Sequence, residues 1–194
     1  APTFTIVKAL GLTESWQVIS SGLAVDKFIQ LNANSAEVSQ GSYNRFNSTR
    51  PSSTVVTLGS DDHTNKNNDN FIMYNFCNID GFCKSGSYTG NGNADGSFIY
   101  CGFKPAFIML KNASSAGTNW FMHDAVRNPS NPIGYYLTAD NTTVDQTTEL
   151  LDIVSNGFKQ RNSYPNLNDS GDTYIYMAFG QSLVGSNNVP CTAR

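Results

Sequence analysis

The chain has 194 residues, a net charge of −3 and only 14% charged residues, with Lys and Arg scattered singly. That length fits one large all-β domain or two of about 100 residues, and the lack of a basic stripe argues against a nucleic acid partner. No apolar run approaches the roughly 20 residues that cross a bilayer as a helix, and APTFTIVKAL lacks the basic and long apolar parts of a signal peptide, so membrane insertion is not expected and the sequence reads as a soluble chain or a piece of one.

Asn, Ser, Thr, Gly and aromatic residues are abundant while helix formers are sparse, which is a strand-forming palette. In chain order, FTIVK, WQVIS, KFIQL, TVVTL and NFIMYNF predict strands, followed by FIMLK, WFMHD, GYYLT, LLDIV and TYIYMAF. Each is short, β-branched or aromatic, and bounded by clusters such as NPSNP at 128–132 and NLNDSGD at 166–172. TTELLDIVSNGF fits a helix closed by Gly157, but in this β context DIVSNGFKQ reads better as two strands around a tight turn. In TYIYMAF both faces are apolar, which predicts a central strand covered on both sides. Trp16 and Trp120, each at the start of a strand, are expected to be core anchors.

The segments fall into two copies of one pattern. PTFTIVK at 2–8 matches PAFIMLK at 105–111, and NDNFIMYNF at 68–76 matches GDTYIYMAF at 171–179, both at an offset of 103. Between these anchors Trp16 answers to Trp120 and Leu31 to Leu137, at offsets of 104 and 106. The expected fold is all-β, two tandem antiparallel β-sandwich, jelly-roll-like repeat units of about 100 residues, assigned to 1–82 and 83–194.

The chemistry-bearing residues are few. DDH at 61–63 and MHD at 122–124 are the places where His meets carboxylates, but they occupy unrelated positions in the two copies, so no metal centre is expected. Asp61, Asp62 and Asp69 offer oxygen ligands for calcium without the spacing of a known loop. Cys77, Cys83, Cys101 and Cys191 match no zinc pattern; they read as buried thiols, with a Cys77–Cys83 disulfide as the alternative in an oxidising setting. Four N-x-S/T triplets, at Asn47, Asn112, Asn141 and Asn168, are expected by chance in so Asn-rich a chain. No nucleophile, phosphate-loop or metalloprotease motif occurs, so no catalytic residue, no cofactor and no enzymatic activity are expected. Tyr43, Tyr135, Tyr136 and Tyr164 are the aromatics placed in polar surroundings, and sugar rings stack on such residues while amides bind the hydroxyls, which makes them the candidate ligand-binding set.

GFCKSGSYTGNGNADGSFIYCGFKPAFIMLK, with the later NGFKQR and SGDTYIYMAF, resembles the C-terminal repeat regions of tail-fibre and related virion-surface proteins of marine bacteriophages, including cyanophages. The shared motifs stand in order at Tyr88–Gly92, Gly102–Pro105, Trp120, Asn156–Phe158 and Ser170–Phe179, and the final CTAR is similar to the C-termini of such proteins. The first copy departs from the pattern: it has LGSDDH where the second has SNGFKQ, and it has no Y-T-G-N-G. The resemblance implies an extracellular virion-surface protein, a trimer if a fibre, that contacts other virion proteins and binds a host-surface glycan or receptor. It supplies no catalytic or ligand residues. A structural stalk or capsid-decoration protein is the alternative, and a glycan depolymerase the least expected.

SYTGNGNADGSFIY at 87–100 reads as the segment that opens the second copy, a Gly and Asn turn between two strands and not a phosphate cradle. Residue 2 answers to residue 105, so the first copy is expected to lack this segment and to carry a free sheet edge at Phe4–Lys8.

Overall fold

The computed structural model describes residues 1–41 and 43–181; Cys191 and the CTAR terminus lie outside the described residues. Five strands, β1 (Phe4–Ala9), β2 (Gln17–Ser20), β3 (Lys27–Gln30), β4 (Val38–Ser39) and β5 (Phe71–Phe76), form one antiparallel sheet in the order β4-β3-β2-β1-β5. Eight more form a second: β6 (Cys83–Thr89), β7 (Phe98–Tyr100), β8 (Pro105–Asn112), β9 (Trp120–Asp124), β10 (Ile133–Thr138), β11 (Gln146–Val154), β12 (Gly157–Gln160) and β13 (Thr173–Gly180). Their order is β6-β13-β8-β9-β10-β11-β12-β7, again antiparallel throughout. Two single-turn helices, α1 (Asp62–Asn65) and α2 (Pro165–Asn168), complete the elements among the described residues. The fold is therefore all-β, with the first sheet drawn from residues 4–76 and the second from 83–180.

The repeat survives at the level of single hydrogen-bonded partners. Phe4 faces Phe76 as Phe107 faces Phe179, and Ile6 faces Val18 as Met109 faces Met122. Lys8 Nζ donates to the Ala9 and Leu12 carbonyls at 2.6 and 2.9 Å, and its counterpart Lys111 donates to the Asn112 carbonyl and Thr118 Oγ1, both at 2.8 Å. The third strand corrects the alignment: Gln17 faces Gln30 and Phe121 faces Thr138, which makes Asn32, not Asn34, the counterpart of Asp140. Both side chains do one job, accepting the main-chain N–H of Trp16 at 2.9 Å and of Trp120 at 3.0 Å. A two-residue slip keeps every side chain on its face, so alternation alone could not detect it.

β13 is the central strand that its two apolar faces require. It is bonded to β6 on one side and β8 on the other, with Tyr176 and Ala178 turned one way and Ile175 and Met177 the other, all buried. Val154 faces Gly157 across the Ser155-Asn156 turn, so the hairpin and not the helix forms there. TVVTL at 54–58 is not a strand: Val55 is exposed, and Leu58 alone of the five packs against a core, as part of the loop region that covers the first sheet. The expected free edge at Phe4–Lys8 is also corrected. β1 lies between β2 and β5, and the outer strand on that side is β5.

Three layers of apolar side chains hold the fold. Phe4, Ile6 and Val18 of the first sheet meet Phe107, Met109, Trp120 and Ile175 of the second, so the two sheets pack through equivalent faces of the repeat. Trp120 is fully buried there and donates its indole N–H to the Gln30 carbonyl at 2.8 Å. Trp16 is only half-buried at the rim, stacked on Tyr74 at 6.4 Å. Phe46 and Leu58 close over Val7, Ile19 and Phe28 on the far side of the first sheet. The second sheet curls around Ile108, Leu110, Phe121, Leu151, Phe158 and Tyr176 into a nearly closed barrel.

The segment between β6 and β7 joins the two outer strands of that barrel. Asn91 and Asn93 each accept the N–H two residues on at 3.0 Å, forming successive Asx turns, and Gly92 takes the left-handed conformation at φ 65°. Asn168, fully buried on α2, holds the loop by donating to Asn91 Oδ1 and the Asn93 carbonyl at 3.0 and 2.8 Å and accepting from Asn91 N at 3.0 Å. The described cysteines are free thiols, with Cys77 exposed and Cys83 and Cys101 buried; burial pushes the Cys101 thiol up to about 12.

Candidate functional site

The four tyrosines singled out in the sequence do not form one site. Tyr43 is 49% exposed over the first sheet, edge-on to Phe28 at 6.2 Å with the Arg45 guanidinium 5.2 Å from its ring centre. Tyr135 and Tyr136 are in β10, the strand that GYYLT predicts, and neighbours along a strand face opposite ways. Tyr135 points outward opposite Thr147, while Tyr136 is a core residue against Phe121 at 4.8 Å, which removes it from the ligand-binding set. Tyr164 is half-buried at the start of α2, edge-on to the same Phe121 at 6.1 Å, its hydroxyl accepting from Asn166 Nδ2 at 2.8 Å. Tyr136 and Tyr164 thus meet in the barrel, and Tyr43 belongs to the other sheet.

The two histidines are apart as well. His63 sits on α1, with Nε2 2.7 Å from Glu14 and Nδ1 2.8 Å from Asp61, which also caps the helix. His123 points into the barrel, stacked at 6.4 Å on Phe121. Among the described residues no three His, Cys, Asp or Glu side chains gather as metal ligands.

A different surface brings exposed aromatics and charges together. β7 carries Phe-Ile-Tyr, and alternation sends Ile99 into the barrel core and leaves Phe98 49% and Tyr100 61% exposed on the outside. The pairing with β12 sets Lys159 beside Phe98 and Gly157 beside Tyr100, and β11 then adds Asp152 and Val154 in the same two rows. Gly157 is required by close approach: a Cβ there would lie 2.0 Å from the Ile99 carbonyl oxygen. No side chain therefore stands between Tyr100 and Val154 in that row, where Gly157 itself is buried against the Ile99 and Cys101 main chain.

Two ion pairs frame this ledge. Lys159 Nζ lies 2.8 Å from Asp95 and 3.0 Å from the Gly96 carbonyl, and Arg161 Nε lies 3.2 Å from Asp152. Hydrogen bonding to Lys159 holds the exposed Asp95 carboxyl below its ordinary range. Two flat apolar rings beside paired ammonium and carboxylate groups suit a ligand with apolar C–H faces and many hydroxyls. Phe98 and Tyr100 were visible in the sequence as the F-I-Y of the glycine-rich segment. Three residues of alternation with an inward Ile between them is the signal that marks an outward aromatic pair.

Residues 1–182 match the family described as a domain of unknown function, DUF7483, and the chain belongs to that family. No curated protein and no solved structure matches it.

Proposed function

We propose that the chain is a non-enzymatic adhesion module on a bacteriophage virion surface, the distal part of a tail fibre or tail-tip protein, which holds a host-surface glycan on the Phe98–Tyr100 ledge. The observation that carries this reading is the pair of aromatic rings exposed on one strand beside the Asp95–Lys159 and Asp152–Arg161 pairs. The virion assignment is supported by the resemblance of Tyr88–Gly92, Gly102–Pro105 and Ser170–Phe179 to phage tail-fibre repeats, which also implies a trimer in contact with other virion proteins. Loops and outer strands on a rigid β scaffold are the usual carriers of such recognition.

An array of bacterial surface glycans tests the site. Specific binding that falls about tenfold in Tyr100→Ala and Phe98→Ala, the ~1.4 kcal/mol of one aromatic contact, supports it. Tyr43→Ala, on the other sheet, leaves that binding unchanged. Silence across a broad array, or binding indifferent to Phe98 and Tyr100, overturns the ledge and favours a structural stalk or capsid-decoration role.

A further inference from the structure

In the internal repeat, one sheet edge lacks, among the described residues, the neighbour that its counterpart has. β13 and β5 are counterparts at an offset of 103, and each pairs with its own partner, β8 or β1, in the same register. On its other side β13 is bonded along its whole length to β6, Tyr174 facing Tyr88, Tyr176 facing Gly86 and Ala178 facing Lys84. β5 has no such strand among the described residues.

The unbonded groups on β5 are the ones that β13 uses. The Leu10 N–H reaches the Asn70 carbonyl at 2.8 Å, as Ala113 reaches Thr173 at 2.8 Å, so in both copies this set of alternate residues is directed to the inner neighbour. Phe71, Met73 and Asn75 therefore direct their main-chain N–H and C=O groups outward, as Tyr174, Tyr176 and Ala178 do toward β6. The bonds Gly90 N to Asp172 O and Gly180 N to Phe82 O, at 2.9 and 2.7 Å, continue that outward set at the two ends of β6. The edge is chemically fit for addition: Phe71-Ile-Met-Tyr-Asn-Phe76 carries no charge and no proline, and Tyr74 is 42% exposed. Long, apolar, uncharged edges are templates for a further strand.

We propose that the outer edge of β5 accepts an added antiparallel strand of the β6 type from another polypeptide. This chain's own β6 cannot serve, because β13 already holds all of it. The second copy supplies the register and the pattern. The added strand carries an aromatic opposite Phe71, in the place of the Tyr88–Tyr174 stack whose ring centres are 4.9 Å apart. The place opposite Met73 is the one that Gly86 fills beside Tyr176, where a Cβ would sit 3.2 Å from the Tyr176 hydroxyl, so a small residue is expected there. Small residues in the places of Ser85 and Ser87 stand opposite Tyr74 and Ile72, on the face shared with the second sheet.

The test uses the full chain and a synthetic peptide of residues 82–91 carrying Cys83→Ser to prevent disulfide exchange. Amide hydrogen exchange read residue by residue is expected to slow at least tenfold at Met73 and Asn75 on saturation with peptide, with β13 amides unchanged. A peptide N-methylated at the Gly86 nitrogen, whose N–H would point at β5, is expected to give no slowing, and the Tyr88→Ala peptide to bind at least fivefold more weakly. In the protein, Met73→Pro removes an outward N–H together with side-chain packing on the Val7–Phe28 cluster, and is expected to abolish binding with the β13 amides still protected, whereas Met73→Leu, which keeps the N–H, is expected to bind the peptide as the wild type does. No slowing with the peptide, or equal slowing with the N-methylated one, overturns the proposal. Slowing at Met73 and Asn75 that rises with protein concentration in the absence of peptide also overturns it, because the edge then pairs with a second copy.

Discussion

His123 stands on β9 where the first sheet has Ile19, enclosed by Phe121 and Tyr136 and fully buried, with no hydrogen bond of ordinary geometry at either ring nitrogen. Loss of hydration lowers its pKa from 6.5 to about 4, and the nearby Tyr135 main chain and Asp124 carboxylate, which favour the charged ring, do not offset it. A folded value below the unfolded one means that the unfolded chain takes up the proton first as pH falls. Stability from the neutral ring is therefore complete above about pH 6.5 and drains away between there and about pH 4, by roughly 3 kcal/mol. His123→Ile, the residue that the repeat places in the first sheet, is expected to remove this share of acid sensitivity. Urea unfolding at pH 7 and pH 4.5 checks it: the wild type should lose roughly 2–3 kcal/mol more than the variant between the two. Equal losses would mean that the ring is already charged or hydrated in the fold.

At the scale of elements, the loop between β6 and β7 behaves as a clamp because one buried amide reaches across it. Asn168 donates to Asn91, Asn93 and the Asn162 carbonyl and accepts from Asn91 N, and Gly90 has no room for a Cβ, which would lie 2.1 Å from the Asp169 carbonyl oxygen. Asn168→Ala leaves several of these partners unsatisfied and is expected to lower stability by about 3 kcal/mol, read as a lower urea midpoint with an unchanged slope. The clamp was legible only in part. Gly, Asn and Asp in SYTGNGNADGSFIY announce a turn through their tolerance of positive φ, but the partner Asn168 lies 77 residues from Asn91, and no local pattern joins them. Strands were legible where a run of β-branched and aromatic residues was long, as in TYIYMAF. TVVTL is shorter but likewise made of strand formers, and fails because it belongs to a loop region that covers the first sheet and finds no strand to pair with. Tyr135 and Tyr136 carry a sharper lesson: once GYYLT is read as a strand, period two already forbids both rings from facing one ligand.

Across the whole molecule, the two copies meet through the same face, so the repeat that the sequence displays as a length of 103 residues is also a way of burying it. Neither sheet can keep that face dry alone. Phe4, Ile6, Val18 and Ile29 on one side and Met109, Trp120, Ile175 and Met177 on the other are all buried by the partner sheet. Burial of each such side chain contributes about 1.5–3 kcal/mol, so over the face it is comparable to or larger than the roughly 5–15 kcal/mol of net stability ordinary for a domain. The sheets should then unfold together although they are formed by separate stretches of chain. Trp120→Ala is the informative change, because Trp120 belongs to the second sheet yet touches Phe4 edge-on at 6.4 Å and bonds the Gln30 carbonyl of the first. It is expected to lower stability by about 3–5 kcal/mol while Trp16 fluorescence, at the rim of the first sheet, and far-ultraviolet dichroism, dominated by both sheets, still report one coincident transition. If Trp16 kept its original midpoint while the dichroism shifted, the interface would be a contact between two independent folds, and the equivalence of their faces would reflect ancestry without energetic coupling.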